Sequence, residues 1–267
     1  MISPFERKRP TRIEEVLHEM AAGAVPYCGG TELVAAMQMG LLAPEVLVDL
    51  KGVNGLSGVG ELDGRLRIGG ATRHRAVALD PLAATWAPAL VTACSQLGNQ
   101  RVRATGSVGG NLCFAEPRSD VMTALIALGA EVELRSVRGD RVVTVDELAA
   151  GAMWTTRDDD ELLVAVRLPP TSRRQVYLRF QPAEYPTACV ALVETAVGGP
   201  IRVSVGAVGE RPQLFEVGGI GALDPAGIAA DLQVVGDQNG AEDYKRHVAE
   251  VFLGRAATAW RELTDGR

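Results

Sequence analysis

The sequence predicts an α+β protein: a mixed helix-and-strand N-terminal part of about 170 residues, then a smaller part combining an antiparallel sheet with a helix. Three observations predict it. Short strand-like runs are interspersed with helical segments throughout the first part, as where Arg65-Leu66-Arg67-Ile68 alternates polar and apolar. Four strand-like runs then follow one another without a helical pattern between them. Between the two parts lies Pro169-Pro170-Thr171-Ser172-Arg173-Arg174, the best linker candidate in the chain.

The elements follow in order. Thr11-Arg12-Ile13-Glu14 is a capping-box pattern that opens a short helix through Met20. Pro26 to Thr31 is a glycine turn, and a helix from about Glu32 to Met39 stops at Gly40. Pro44 introduces the strand Val46 to Leu50. Helices are expected over roughly Arg73–Leu79 and Ala87–Leu97, followed by a second glycine-rich stretch, Ala104 to Asn111, read as a loop. Ser119 is the N-cap of an apolar helix through Leu128. Strands around Val132, Val142 and Leu163–Leu168 close the first part. The later strands are Gln175–Phe180, Cys189–Val197, Ile201–Val208 and Gln213–Val217. In the last helix, from about Ala241, Tyr244, Val248, Val251 and Phe252 are spaced as one buried stripe.

Composition narrows the function. The chain has 267 residues, 47% of them hydrophobic, and a formal net charge of -6, which marks a globular protein and argues against nucleic acid as a partner. No apolar run approaches the roughly 20 residues that span a bilayer, so no membrane insertion is expected. Met1 to Pro10 lacks the apolar core of a signal peptide, and Cys28, Cys94, Cys113 and Cys189 form no C-x-x-C pair. Reduced thiols in a cytoplasmic protein are expected. His18, His74 and His247 lack metal-ligand spacing and are read as surface or structural.

Glycine is in excess: 30 residues, about 11% of the chain, against a usual level of roughly 7%. Two stretches concentrate the interest. Cys28-Gly29-Gly30-Thr31 offers successive N–H groups unobstructed by Cβ atoms ahead of a helix, an arrangement suited to a phosphate oxygen. Ser107-Val108-Gly109-Gly110-Asn111 promises the same again, with Ser107 and Asn111 as side-chain donors. Two such stretches suggest a diphosphate held from both sides. Neither is a Rossmann or P-loop fingerprint. The plainer alternative for each is a tight turn in which glycine supplies positive φ.

Together, Gly29-Gly30-Thr31-Glu32-Leu33 and Ser107-Val108-Gly109-Gly110-Asn111-Leu112, some eighty residues apart, resemble the two motif loops of the FAD-binding (medium) subunits of molybdenum-containing hydroxylases, the xanthine dehydrogenase and carbon monoxide dehydrogenase type. The similarity runs along nearly the whole chain. It includes Phe5 with Pro10-Thr11, Pro44 to Leu50, Ile68 to Thr72, Gln100 to Arg103, Pro117, Asp120, Ala124-Leu125, Leu128 to Ala130, Glu161 to Leu163, Pro169, and Tyr244 to His247 with Val251 to Leu253. The resemblance implies a two-subdomain FAD-binding fold of the vanillyl-alcohol oxidase type over 1–170, with subdomains of about 1–55 and 56–170. A small C-terminal antiparallel sheet-and-helix domain would follow over 175–267.

It further implies an oxidoreductase subunit that binds FAD and passes electrons to an external acceptor. Its expected partners are a small subunit with two [2Fe–2S] clusters and a large subunit with the molybdenum cofactor. The implied cofactor-binding positions are Cys28, Gly29, Gly30, Thr31, Glu32 and Leu33; Thr105, Ser107, Val108, Gly109, Gly110 and Asn111; and Leu97, Asp120, Leu163 and Arg179. No catalytic or metal-binding side chain is expected in this chain. Several positions have ordinary alternatives: Cys28 as a small buried hydrophobe, Leu97 and Leu163 as core residues, Asp120 as a first-turn helix acid. Arg179 or Gln181 falls where the family often carries a cation near the flavin, and Glu184 to Ala188 departs from the family's basic run. That departure motivates a different reading, a stand-alone flavoenzyme acting on its own small substrate. A third reading is an assembly module with a decayed flavin site.

Overall fold

The computed structural model describes residues 2–265; Met1, Gly266 and Arg267, which begin and end the two expected parts, lie outside the described residues. The N-terminal segment runs β1 (Glu6–Lys8), α1 (Ile13–Ala21), β2 (Val25–Tyr27), α2 (Leu33–Gln38) and β3 (Val46–Asp49). Its three strands form a parallel sheet with β3 in the centre. At the start of α1, Glu15 rather than Glu14 accepts from the backbone N–H groups of Thr11 and Arg12, at 3.1 and 3.3 Å. Val16, Leu17 and Met20 form the buried face of α1.

The next segment contains β4 (Val59–Leu62), β5 (Arg65–Gly69), α3 (His74–Leu79), α4 (Pro81–Trp86), α5 (Pro88–Gln96), α6 (Gln100–Thr105), α7 (Val108–Phe114) and α8 (Asp120–Ala127). It continues with β6 (Glu131–Ser136), β7 (Gly139–Thr144), α9 (Val145–Leu148), β8 (Ala149–Gly151), β9 (Trp154–Thr155) and β10 (Leu162–Leu168). An antiparallel five-stranded sheet has the order β4-β5-β10-β6-β7, placing β10 at its centre. Side-chain caps start the short helices: Asp80 accepts from Ala83 N–H, Asn99 from Val102 N–H, and Ser119 from Met122 N–H, each within 3.0 Å.

The second glycine stretch differs from expectation. Val108 to Asn111 form the first turn of α7, with Ser107 as N-cap, rather than a loop.

Four strands follow: β11 (Gln175–Phe180), β12 (Ala188–Glu194), β13 (Ile201–Gly206) and β14 (Gln213–Val217), paired antiparallel in sequence order. The chain ends in α10 (Pro225–Asp231) and α11 (Glu242–Asp265). The four-stranded sheet lies between two helical layers. Cys189, Ala191 and Val193 of β12 join the core of α5 and α8, while Val190 and Leu192 face α11 with Phe252, Leu253 and Trp260. All seven residues of β12 are therefore buried, and each fully buried Val or Leu contributes roughly 1.5–3 kcal/mol.

Gln175 reinforces this contact: its side chain accepts from Ala89 N–H at 3.2 Å and donates to the Trp86 carbonyl at 2.9 Å. The segment 169–174 thus joins packed layers. Along α11 the buried stripe begins at Val248, and Tyr244 is 45% exposed. Lys245 takes the inward position one residue on, its ammonium reaching the Val235 carbonyl at 3.0 Å and the Asp237 carboxylate at 2.9 Å. No helix among the described residues is long and apolar enough to cross a membrane.

Candidate functional site

The two glycine stretches meet at a cleft of about 590 Å³, a size suited to a small-molecule or cofactor site. One wall is the turn between β2 and α2, with Cys28 through Leu33; the other is the start of α7, with Gly106, Ser107, Gly110 and Asn111. Leu97 and Asp120 complete the walls, and Gln181, Glu184, Tyr185 and Pro186 border the opening.

The first stretch keeps its donors free. Gly30 turns the chain at φ 67°, a left-handed conformation that glycine adopts without steric cost. The N–H groups of Gly29, Gly30, Thr31 and Glu32 donate to no protein acceptor among the described residues. Gly29 lies against the Thr105 carbonyl with no space for a Cβ, so this residue type brings the two stretches together. Helix α2 has only six residues. The row of amides, rather than a long helix dipole, is what suits an anion here.

The second stretch uses its amides internally. Val108 N–H donates to the Thr72 carbonyl at 3.0 Å, Gly109 to Gly70 at 2.8 Å, and Asn111 to Ser107 at 3.0 Å. Gly110 N–H donates to Ser107 Oγ at 3.3 Å. What the stretch presents to the cleft is side chains. Asn111 Oδ1 accepts from the Ser119 hydroxyl at 2.6 Å, and its amide NH2, at the wall, has no acceptor among the described residues. The expectation of a second row of free amides is corrected accordingly: the carbonyls of Thr72 and Gly70 take two of them, the Ser107 side-chain cap a third, and the first helical bond the fourth.

Five expected positions stand behind the wall. Val108 and Gly109 lie on the buried side of the first turn of α7, where a Cβ on Gly109 would lie 2.7 Å from the Gly70 carbonyl oxygen. Leu163 is a buried β10 residue whose carbonyl packs against Gly70. Thr105 donates its hydroxyl to the Arg101 carbonyl at 2.8 Å. Arg179 pairs with Asp120 at 3.1 Å. Gln181 lines the cleft instead, its amide donating to the carbonyls of Ala183 and Glu184 at 3.1 and 2.8 Å.

Asp120 opens α8 beside the cleft, where its carboxylate accepts from the Tyr177 hydroxyl at 2.5 Å and from the Arg179 guanidinium at 3.1 Å. Burial pushes its pKa up, opposed by those two donors. Glu32 is also raised, by burial and then by the nearby charge of Glu116. Arg118, the cation on the wall, is held by Glu116 at 2.5 Å and lies 3.9 Å over the Tyr185 ring. With that cation already paired, backbone dipoles from the first stretch are the main complement to an anion.

Two neighbours were not among the expected cofactor-binding positions: Arg73 was not singled out, and His74, read as surface or structural, is buried and lines the cleft. Arg73 donates through one guanidinium nitrogen to Cys28 Sγ at 3.0 Å and to the Thr105 carbonyl, tying the stretches together. His74 lines the cleft while only 2% exposed. Their one signal was position, directly after Gly69-Gly70-Ala71-Thr72. Cys28 is 8% exposed and points its thiol toward the Ala71 carbonyl at 3.8 Å, as the buried alternative expects.

Comparison with known proteins decides the family. Residues 3–171 match the model of the FAD-binding domain in molybdopterin dehydrogenase. The chain belongs to that family. Among relatives of this FAD-binding protein, the carbon monoxide dehydrogenase medium chain of Afipia carboxidovorans is 31% identical over 94% of this chain and 95% of its own length. The nicotine 6-hydroxylase medium subunit of Paenarthrobacter nicotinovorans is 29% identical, covering 85% and 86%. A solved Cu,Mo-CO dehydrogenase chain superposes with a TM-score of 0.88 at 27% identity, covering 97% of this chain and 98% of that one. FAD is the cofactor of the family. The cleft fits it in kind, with backbone amides that have no acceptor among the described residues for the pyrophosphate, the Asn111 NH2 opposite, and an apolar wall at Leu97.

Proposed function

We propose that this chain is the FAD-carrying subunit of a molybdenum hydroxylase complex and hands electrons from partner iron–sulfur clusters to an external acceptor. Its partners are a small subunit with [2Fe–2S] clusters and a large subunit with the molybdenum cofactor. The observation that carries the reading is the row of free N–H groups from Gly29 to Glu32, facing Asn111 across one cleft.

The bound flavin supplies the redox chemistry; this chain's groups bind and orient it. The amides of residues 29–32 and the Thr31 hydroxyl hold the pyrophosphate, and the Asn111 amide donates from the other side. Leu97 packs against the ring system. Asp120, fixed by Tyr177 and Arg179, ties the cleft to the four-stranded sheet. Thr105, Val108, Gly109 and Leu163 act behind the wall by setting the backbone that shapes it. The division into 1–170 and 175–267 belongs to the same proposal, as does a cytoplasmic location, supported by four free thiols.

Partner docking is supported by Met39, Leu41 and Leu42, which are 68, 71 and 50% exposed after α2, with Leu42 also lining the cleft. A cluster of that kind on a rim suits a partner surface. The stand-alone reading is not favoured, because the full-length relatives are named as medium chains and subunits.

The first experiment is the visible absorption spectrum of the purified chain, with the released chromophore identified by chromatography. FAD near one per chain without iron–sulfur absorbance is expected. Protein that is colourless and also fails to take up added FAD overturns the assignment.

A further inference from the structure

We propose that His74 is a neutral hydrogen-bond donor to the bound cofactor, carrying one proton on Nε2 and presenting it to an oxygen of the flavin nucleotide where the two glycine stretches meet. The proposal rests on the flavin reading of the cleft.

His74 opens α3, and its backbone N–H donates to the Gly106 carbonyl at 3.3 Å. The side chain is almost wholly enclosed, yet it makes no hydrogen bond among the described residues. Nδ1 is sealed from solvent without a partner. Nε2 is also unpartnered, but it is not sealed, and the residue lines the cleft.

Three protonation states compete. The imidazolium places an N–H on the sealed nitrogen and a cation beside Arg73. The Nδ1–H tautomer strands the same donor. The Nε2–H tautomer leaves only a lone pair sealed, and an orphaned acceptor is tolerated better than an orphaned N–H. The third state is therefore the one this packing accepts, and it turns a donor toward the cleft.

The Gly106 position supports this orientation. A Cβ there would lie 3.1 Å from Cδ2 and 3.3 Å from Nε2 of His74, so glycine keeps that ring edge uncovered. Burial, with Arg73 adding repulsion, also holds the imidazole pKa down to about 4, which keeps the ring uncharged near neutral pH. A neutral N–H donor is satisfied by an oxygen acceptor, which the phosphate and ribityl portions of FAD both supply, and it adds no charge to the site.

The test uses the full-length chain labelled with 15N, whose three histidines simplify assignment. Long-range proton–nitrogen correlation is expected to show His74 protonated at Nε2 alone between pH 7.5 and 5.5, with that signal shifting on addition of FAD. A proton on Nδ1, or an imidazolium at pH 7, overturns the proposal. In parallel, FAD is titrated into wild type, His74→Leu and His74→Gln by flavin fluorescence. His74→Leu is expected to bind about tenfold to a hundredfold more weakly, with His74→Gln recovering most of the loss through its amide N–H.

A folded His74→Leu variant with wild-type affinity removes the role of His74 and leaves the flavin assignment standing. Wild type that takes up no FAD overturns both. Should His74→Leu fail to fold, the tautomer and its response to FAD in wild type decide the matter.

Discussion

The two glycine stretches look interchangeable as sequence and do opposite work in the structure. In the first, the backbone turns away from regular structure at Gly30 and the amides of Gly29 to Glu32 have no acceptor among the described residues. In Ser107–Asn111 the backbone enters a helix and every amide from Val108 to Asn111 has an internal acceptor. The lesson concerns what glycine is for. At Gly29 and Gly109 it lets backbone approach backbone, whereas at Gly110 a Cβ would meet only Ser107 Oγ, at 3.0 Å. Much of the glycine here shapes the cleft rather than touching what fills it.

The largest expected effect tests whether Gly110 faces the pyrophosphate. Gly110→Asp is expected to fold, because an acid in the first turn of a helix is tolerated, and to lose FAD. A carboxylate about 4 Å from a phosphate charge costs about 4 kcal/mol at an effective dielectric of 20, roughly a thousandfold in affinity. Purified Gly110→Asp with stoichiometric FAD would show that the second stretch faces something else.

The next effect probes the support under the second stretch. His74 has a pKa of about 4 in the folded protein, against about 6.5 when unfolded. The unfolded chain therefore binds more protons between these values, and stability falls as pH drops through that window. The full loss is about 3 kcal/mol. Urea unfolding at pH 7 and pH 4.5 is expected to show this slope in wild type, with the His74 portion absent in His74→Leu.

A smaller effect separates the packing glycine from the facing one. Gly109→Ala places a methyl 2.7 Å from the Gly70 carbonyl oxygen and is expected to cost about 2 kcal/mol. Gly110→Ala is expected to change stability by less than about 0.5 kcal/mol. Equal thermal midpoints for the two variants would erase the distinction drawn between them. The smallest loss of FAD binding is expected at Asn111→Ala. Removing one donor to a charged group weakens FAD binding by about 1.5 kcal/mol, readable as roughly a tenfold rise in Kd by fluorescence titration.

Elements with strong local signals were legible in the sequence. Ser119 caps α8, whose eight residues are all buried, and the runs Gln175–Phe180 and Gln213–Val217 are strands with those bounds. Strands β1 and β2 were not legible. Each has three residues, and Glu6-Arg7-Lys8 and Val25-Pro26-Tyr27 join the sheet through pairing with β3 rather than through alternation of their own. Helix α7 was hidden because its first turn reads as glycine-rich loop. Its Ser107 cap and the seat of Gly109 on Gly70 override the weak helix propensity of glycine.

Within the candidate site, the residue types of both stretches could be named from the chain alone, and Leu97 and Asp120 through the resemblance to the family. Arg73 and His74 could not, since nothing local distinguishes an arginine that reaches Cys28 and Thr105 from one on the surface. Arg179 illustrates the converse. Its charge was visible in the sequence, but its pairing with Asp120 comes from the register of β11 against β12 and the docking of that sheet on α8.

The sequence by itself determined the α+β class, the order of the main elements and the family's two glycine motifs, because caps, alternation and motif spacing are local properties of the chain. Tertiary structure decided which amides stay free, which charges are spent on one another and which imidazole nitrogen faces the cleft. Those depend on atoms brought together from segments tens of residues apart, where a hydrogen-bond donor has only as many partners as packing leaves it.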